Sequence, residues 1–230
     1  MLDTAVSSFG PQLFQFLHEL SEDNSRPFWQ ANKERYERDV RTPALEFIEA
    51  MGPPLRSLSP HFLAVAKKSG GSMMRPFRDT RFSRDKTPYK TNVGIQFRHA
   101  AGKDVHAPGW YLHLSAEECF VGAGMWHPES SALLGVRERI VGQSEHWLAA
   151  RGTVETAGWS LSGNSLKRAP RGFDRDHPLI EDLRRKDHVA VRELEIDEVL
   201  DVGFLEDVVA MFRSVAPYMR FLSEAVGQPF

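Results

Sequence analysis

Hydrophobic positions recur along this chain with two different periods, and the switches between them mark out its elements. Leu13, Phe14, Phe16, Leu17 and Leu20 return every three or four residues. That spacing predicts an amphipathic helix with Pro11 in its first turn, where the missing N–H costs nothing. Residues 1–9 read as a loose lead-in. Ser21 to Asn24 break the pattern, and Ser25 caps a second helix with Pro27 just inside it and Phe28, Trp29, Asn32, Tyr36 and Val40 on neighbouring turns. Thr42-Pro43 restarts a helix through Leu45, Phe47, Ile48 and Met51, which Gly52-Pro53-Pro54 is expected to end. Phe62 to Ala66 reads as a first short strand and Lys67 to Gly71 as a turn.

The period then drops to two. Val93, Ile95 and Phe97 alternate with Gly94, Gln96 and Arg98. Trp110, Leu112 and Leu114 alternate with Tyr111 and His113, and Glu118 to Gly124 forms a third strand. Three strands on short links predict an antiparallel meander with one buried face and one open face. The helical period returns from Pro128 to about Ala150 on Leu133, Leu134, Val136, Ile140, Trp147 and Leu148, with Arg137 and Arg139 expected in solvent. Thr153 to Leu161 reads as a short strand or hairpin. Asp176-His177-Pro178 opens a helix through Leu183 and Arg185, and Val189 to Ile196 alternates again. Asp201 to Leu222 is a long helix bent or restarted at Pro217. No repeat and no separating linker interrupts this order. Residues 1–230 therefore read as a single α+β domain, a largely antiparallel sheet with helices packed on one face.

Composition changes this picture little. A chain of 230 residues with 41% hydrophobic and 26% charged residues is ordinary for a globular domain. One cysteine, Cys119, excludes a disulfide within the chain and reads as a small core residue. No apolar run approaches the ~18 residues of a membrane span. The N-terminus lacks the basic start and apolar core of a signal peptide, so the expected location is cytoplasmic. Histidines and acidic residues are too scattered for a metal site to be argued, and no phosphate-loop or dinucleotide fingerprint points to a cofactor.

Charge is what changes the picture. The chain carries a formal net charge of -2, yet Arg75, Arg78, Arg81, Arg84, Lys86 and Lys90 crowd into Ser72–Asn92 against only Asp79 and Asp85. Pro76 and Pro88 forbid one continuous helix there, so the stretch reads as an extended segment from Met73 to Phe77 and then a turn-rich loop. Arginine meets carboxylate or phosphate oxygens with a planar fork of donors. The anion-binding candidates are Arg75, Arg78, Arg81, Lys86, Tyr89 and Lys90, joined by Arg168 and Arg171 from a second basic loop, Lys167 to Asp174. Asp79 and His113 are the candidate proton-transfer residues, with Gln96, Arg98 and Tyr111 beside His113 on the polar face of the meander. The plainer readings are an ion-pair network pinning a loop, a hydrogen-bonded half-buried histidine and an ordinary surface turn.

The run RPFRDTRFSRDKTPYK, with Arg75, Arg78, Asp79, Arg81, Phe82, Asp85, Lys86 and Tyr89 at its marked positions, resembles the signature of the DUF2461 family of conserved hypothetical proteins. NSRPFWQANKERYERDVRTPALEF, GWYLHLS, VGAGMWHP and LKRAPRGFDRDHP resemble it too, so the likeness covers nearly the whole chain. It implies no activity, because the family has none assigned, and it carries over no catalytic residues. Three functions fit the residues. The first is an enzyme acting on a phosphorylated or other anionic small molecule. The second is a module binding nucleic acid or another anionic polymer, with Phe77, Phe82 and Tyr89 stacking on bases, which the net negative charge disfavours. The third is a structural latch whose protein partner binds elsewhere.

Overall fold

The computed structural model describes residues 9–101 and 107–230. The lead-in up to residue 8 and the middle of the Ala100–Pro108 connection lie outside those residues. The strands are β1 (Phe62–Leu63), β2 (Asn92–His99), β3 (Gly109–Ser115), β4 (Cys119–Met125), β5 (Ser160–Ser162) and β6 (His188–Leu194). They form one sheet in the order β1-β2-β3-β4-β6-β5, with every neighbouring pair antiparallel. The alternation in the sequence sets the register. Ile95 pairs with Leu112, Leu112 with Val121, and Trp110 with Ala123. This puts Val93, Ile95, Phe97, Trp110, Leu112, Leu114, Val121 and Ala123 on one buried face.

Helices cover that face. They are α1 (Pro11–Glu22), α2 (Arg26–Ala31), α3 (Lys33–Arg35), α4 (Thr42–Ala50), α5 (Gly52–Leu58), α6 (Ser130–Gly142), α7 (Ser144–Thr156), α8 (Ile180–Arg184), α9 (Ile196–Leu200), α10 (Phe204–Ser214) and α11 (Ala216–Ala225). Between α3 and α4 the chain winds as a π-helix, Tyr36–Arg41. α1 packs on β3, α4 on β2 and α11 on β4. Phe212 of α10 stacks on Trp110 with centroids 4.7 Å apart. This is the expected α+β arrangement, with the opposite sheet face left to loops.

Several boundaries differ from the sequence reading, each for a local reason. Phe9, assigned to the loose lead-in, is 1% exposed and packs against Phe47 and Phe204. Gly52-Pro53-Pro54 follows the end of α4, as expected, and also opens α5, since proline in the first turn removes a donor that had no partner. The Pro128–Ala150 helix is two helices, because Gln143 leaves helical geometry at φ -138°, directly after Gly142. Leu134 and Leu148 are consequently 44% and 45% exposed, and Val136, Ile140 and Trp147 carry the burial. Arg137, expected in solvent, is a staple: its Nε donates to the Leu183 carbonyl at 2.7 Å and its Nη2 to that of Arg185 at 3.2 Å. Pro217 restarts the terminal helix, as its position predicts.

Candidate functional site

The arginine-rich stretch is an arm on the edge of the sheet. Ser72 to Met74 extend the β1 edge along β2, with Met74 N donating to Gly94 O and Gln96 N to Ser72 O, both at 2.8 Å. The chain then leaves the sheet and doubles back. Arg78 N donates to Pro88 O at 2.9 Å and Lys90 N to Pro76 O at 2.7 Å, closing a hairpin-like loop over residues 76–90. The base of the arm is clamped. The Asn24 amide accepts from Tyr89 N at 3.0 Å and donates to Tyr89 O at 3.1 Å, imitating a strand neighbour. The Tyr89 ring stacks on Trp29 at 4.3 Å and 9°. Tyr89 is 4% exposed, so its place is in the packing of the arm's base.

The arm sorts its six cations into two groups. Arg78 is bound to Asp85 and to the Thr87 hydroxyl. Arg81 grips Asp79 through Nε at 2.9 Å and Nη2 at 2.6 Å. Lys86 donates to the Thr80 carbonyl at 2.8 Å. Hydrogen bonds from the Arg81 side chain and backbone hold the Asp79 carboxyl at about 2, and those from the Thr87 backbone and then Arg78 do the same for Asp85. A carboxylate so occupied is a weak proton acceptor, which argues against Asp79 as a general base. Arg75, Arg84 and Lys90 form the second group; among the described residues none has a carboxylate partner. Lys90 is half-buried, with its Nζ 3.9 Å from the Met74 sulfur. Burial, followed by the nearby charge of Arg75, lowers its pKa.

Lys90 leads directly onto the open face. Gly94 of β2 has no side chain there, and a Cβ would lie 2.7 Å from the Tyr111 hydroxyl and 3.1 Å from the Met74 sulfur. That gap lets Tyr111 lean toward the arm. Its hydroxyl meets His113 Nδ1 at 3.2 Å, and Asn92 Nδ2 approaches the same nitrogen at 3.5 Å. On the far side of the ring, His113 Nε2 lies 3.7 Å from Glu118 Oε1, and Phe120 stacks on the imidazole at 4.6 Å and 7°. Burial raises Tyr111 to about 12 and lowers His113, with Glu118 opposing the latter. At neutral pH the pair is a protonated phenol beside a neutral imidazole. Arg98 Nε donates to Gln96 Oε1 at 3.2 Å on the same face. The structure therefore brings Gln96, Arg98, Tyr111 and His113 together and joins them to the arm through Met74 and Lys90. Asp79 and His113 share no hydrogen bond or ion pair.

A family model described as "Conserved hypothetical protein (DUF2461)" matches residues 12–221. This chain belongs to the DUF2461 family. No protein of curated function matches it.

In this DUF2461 chain the second basic loop leaves β5, at the sheet edge opposite the arm. Arg168 and Arg171 are exposed, and among the described residues neither meets the arm. Six strands at roughly 4.8 Å spacing set the two edges about 24 Å apart. Two surface clefts of about 580 and 680 Å³ lie among α6, α7, α10 and α11, the first lined mainly by small residues of α7 and the second also by the paired Arg139 and Glu224, away from these groups. Among the described residues no three His, Cys, Asp or Glu side chains are placed to hold a metal, and no helix is long and apolar enough to cross a membrane.

One arrangement was not read from the sequence. His127 Nδ1 sits 2.7 Å from Asp187 Oδ1, and Asp187 is fully buried. Sixty positions separate the two residues, and the pairing β4–β6 alone makes them neighbours. The only sequence trace was the WHP triplet after a glycine-rich strand.

Proposed function

We propose that this DUF2461 protein binds a small phosphate- or carboxylate-bearing molecule where the arm joins the open face of the sheet, and that His113 is the proton-transfer group for that ligand. Lys90 carries the reading. It is a half-buried ammonium with no carboxylate partner among the described residues, pushed toward neutrality by burial and by Arg75, and an anion there would relieve both. Tyr111 and Asn92 supply neutral donors alongside it. Arg78 and Arg81, already paired with Asp85 and Asp79, support the latch reading for themselves and the anion reading for Arg75 and Lys90.

Thermal unfolding with inorganic phosphate, sugar phosphates and small carboxylates tests this. A ligand at about 100 times its dissociation constant adds about 2.7 kcal/mol to the folded state. Wild type and Arg81→Ala should both be stabilised, and Lys90→Met, which keeps the aliphatic stem, should not. Stabilisation that survives Lys90→Met, or none from any anion, overturns the proposal. A polymer ligand is favoured by Phe82, 95% exposed between Arg81 and Arg84 at the tip of the arm. It would show as oligonucleotide affinity falling by about 0.7–0.9 log units per phosphate contact for each log unit of salt.

A further inference from the structure

Asp187 lies just before β6, and both its oxygens are in use. Oδ1 accepts the backbone N–H of His127 at 2.7 Å and its ring Nδ1–H at 2.7 Å, and Oδ2 accepts the backbone N–H of Asn164 at 2.8 Å. Burial works to raise its pKa, but these bonds outweigh burial and hold the carboxyl below its ordinary value. An ionised carboxylate only accepts, so Nδ1 carries the ring proton and the imidazole lone pair is left on Nε2. The His127 side chain is 50% exposed. Its backbone sits at φ 50°, a left-handed conformation uncommon for a residue other than glycine. Across the carboxylate, Gly163 at φ 103° packs so closely that a Cβ would lie 2.4 Å from Asp187 Cβ. The surroundings thus force an unfavoured backbone to aim one imidazole at solvent.

Three cations lie close to the pair along the chain. Lys186 immediately precedes Asp187, and its backbone N–H donates to Asn164 O at 2.8 Å. Lys167 and Arg168 follow Asn164 within four residues, no more than about 14 Å of extended chain. All three are exposed, and among the described residues none has a carboxylate partner. The second basic loop therefore starts next to Asp187 at Asn164 and runs antiparallel to Arg184–Lys186, across the sheet from the arm.

We propose that His127 and Asp187 form a second reactive centre, in which Nε2 of His127 takes a phosphoryl group from a small phosphorylated donor whose oxygens are met by Lys167, Arg168 and Lys186. The Nε2–P bond forms as the bond from phosphorus to the leaving group breaks, and the leaving group departs with that electron pair. The ring gains positive charge in this step. Asp187, still holding Nδ1–H, compensates it at a distance of one hydrogen bond. The phosphoryl group remains on Nε2 as a covalent modification.

The full chain incubated with potassium phosphoramidate, whose leaving group is ammonia, tests this by peptide mass spectrometry under neutral conditions. His146 is exposed on α7, has no carboxylate partner among the described residues, and serves as the reference imidazole. His127 should be phosphorylated about tenfold or more faster than His146, since an orienting aspartate is worth at least that in related dyads. Asp187→Asn should bring His127 toward the His146 rate and leave His146 unchanged. Lys167→Ala with Arg168→Ala should slow phosphoramidate severalfold and leave reaction with neutral diethyl pyrocarbonate at Nε2 unaffected. The His127 to His146 ratio in the wild type needs no variant, so a misfolded Asp187→Asn leaves the test standing. Equal or slower labelling of His127, or labelling indifferent to Asp187→Asn in a folded protein, overturns the proposal.

Discussion

Acidification from pH 7 to pH 5 should destabilise this protein through His188. That residue opens β6 and is fully buried, edge-on to Trp147 at 5.8 Å, and among the described residues neither ring nitrogen has a hydrogen-bond partner. Burial, reinforced by Arg185 and Arg137 and opposed by Asp187, lowers its pKa to about 3. In the unfolded chain the value is about 6.5. The folded value is the depressed one, so the unfolded state binds the proton first. Stability is intact above about pH 6.5 and is lost as pH falls toward 3. At pH 5 the loss is RT ln(1 + 10^1.5), about 2 kcal/mol, and the slope approaches about 1.4 kcal/mol per pH unit for one proton. Because pH 5 lies well above the folded value, the unfolded value alone sets that figure. Urea denaturation followed by tryptophan fluorescence at pH 5, 6 and 7 measures it, with His188→Leu as the reference. Leucine fills a similar volume and removes two unpaired polar atoms, so the variant should be near neutral or stabilising at pH 7. His99 and His113 are also depressed, and their contributions cancel in the difference. If His188→Leu loses as much stability as the wild type between pH 7 and pH 5, the reasoning is wrong.

Other outcomes follow from single contacts. Asp182, 3% exposed, accepts from Trp147 Nε1 and Arg151 Nη1, each at 2.9 Å; Asp182→Ala strands both donors and should cost about 3 kcal/mol in chemical denaturation. Asn24→Ala removes both bonds to the Tyr89 backbone, so it should cost about 1–3 kcal/mol and make residues 76–90 the first site cut in limited proteolysis. Gly124→Ala puts a Cβ 1.9 Å from the His188 carbonyl at φ 131° and should lower the melting temperature more than Gly142→Ala, whose Cβ meets nothing. Gly94→Ala should displace the Tyr111 hydroxyl and abolish stabilisation by anions while leaving a folded protein, which a melt with and without phosphate would read.

Much of the frame was legible because it rests on patterns that the chain repeats. The period-two runs of β2, β3 and β4 specify a register, since a slip of one residue would turn Ile95, Leu112 and Val121 to the open face. Those runs also placed Gln96, Tyr111 and His113 side by side. The misses came where a single residue carries two meanings. Gly52-Pro53-Pro54 reads as a stop but serves also as a start, because Leu55 beyond it is buried. Arg137 looks like a solvated charge because its acceptors are backbone carbonyls more than forty positions away, invisible to any local window. The cations of the arm looked equivalent in sequence. Which of them Asp79 and Asp85 neutralise depends on how the loop closes. The His127–Asp187 contact depends wholly on tertiary pairing.

The strand order has a consequence for how the protein is made. β4 is the third strand of the meander, yet its second neighbour, β6, lies roughly sixty residues further along the chain. At about 5–20 residues per second, synthesis leaves that edge waiting for several seconds. During that time Cys119, Val121, Ala123 and Met125 line an unpaired apolar strand with open hydrogen-bonding groups. The nascent chain is most vulnerable to misassociation before residue 194 emerges, and truncations between α7 and β6 should be insoluble even though they retain the complete arm.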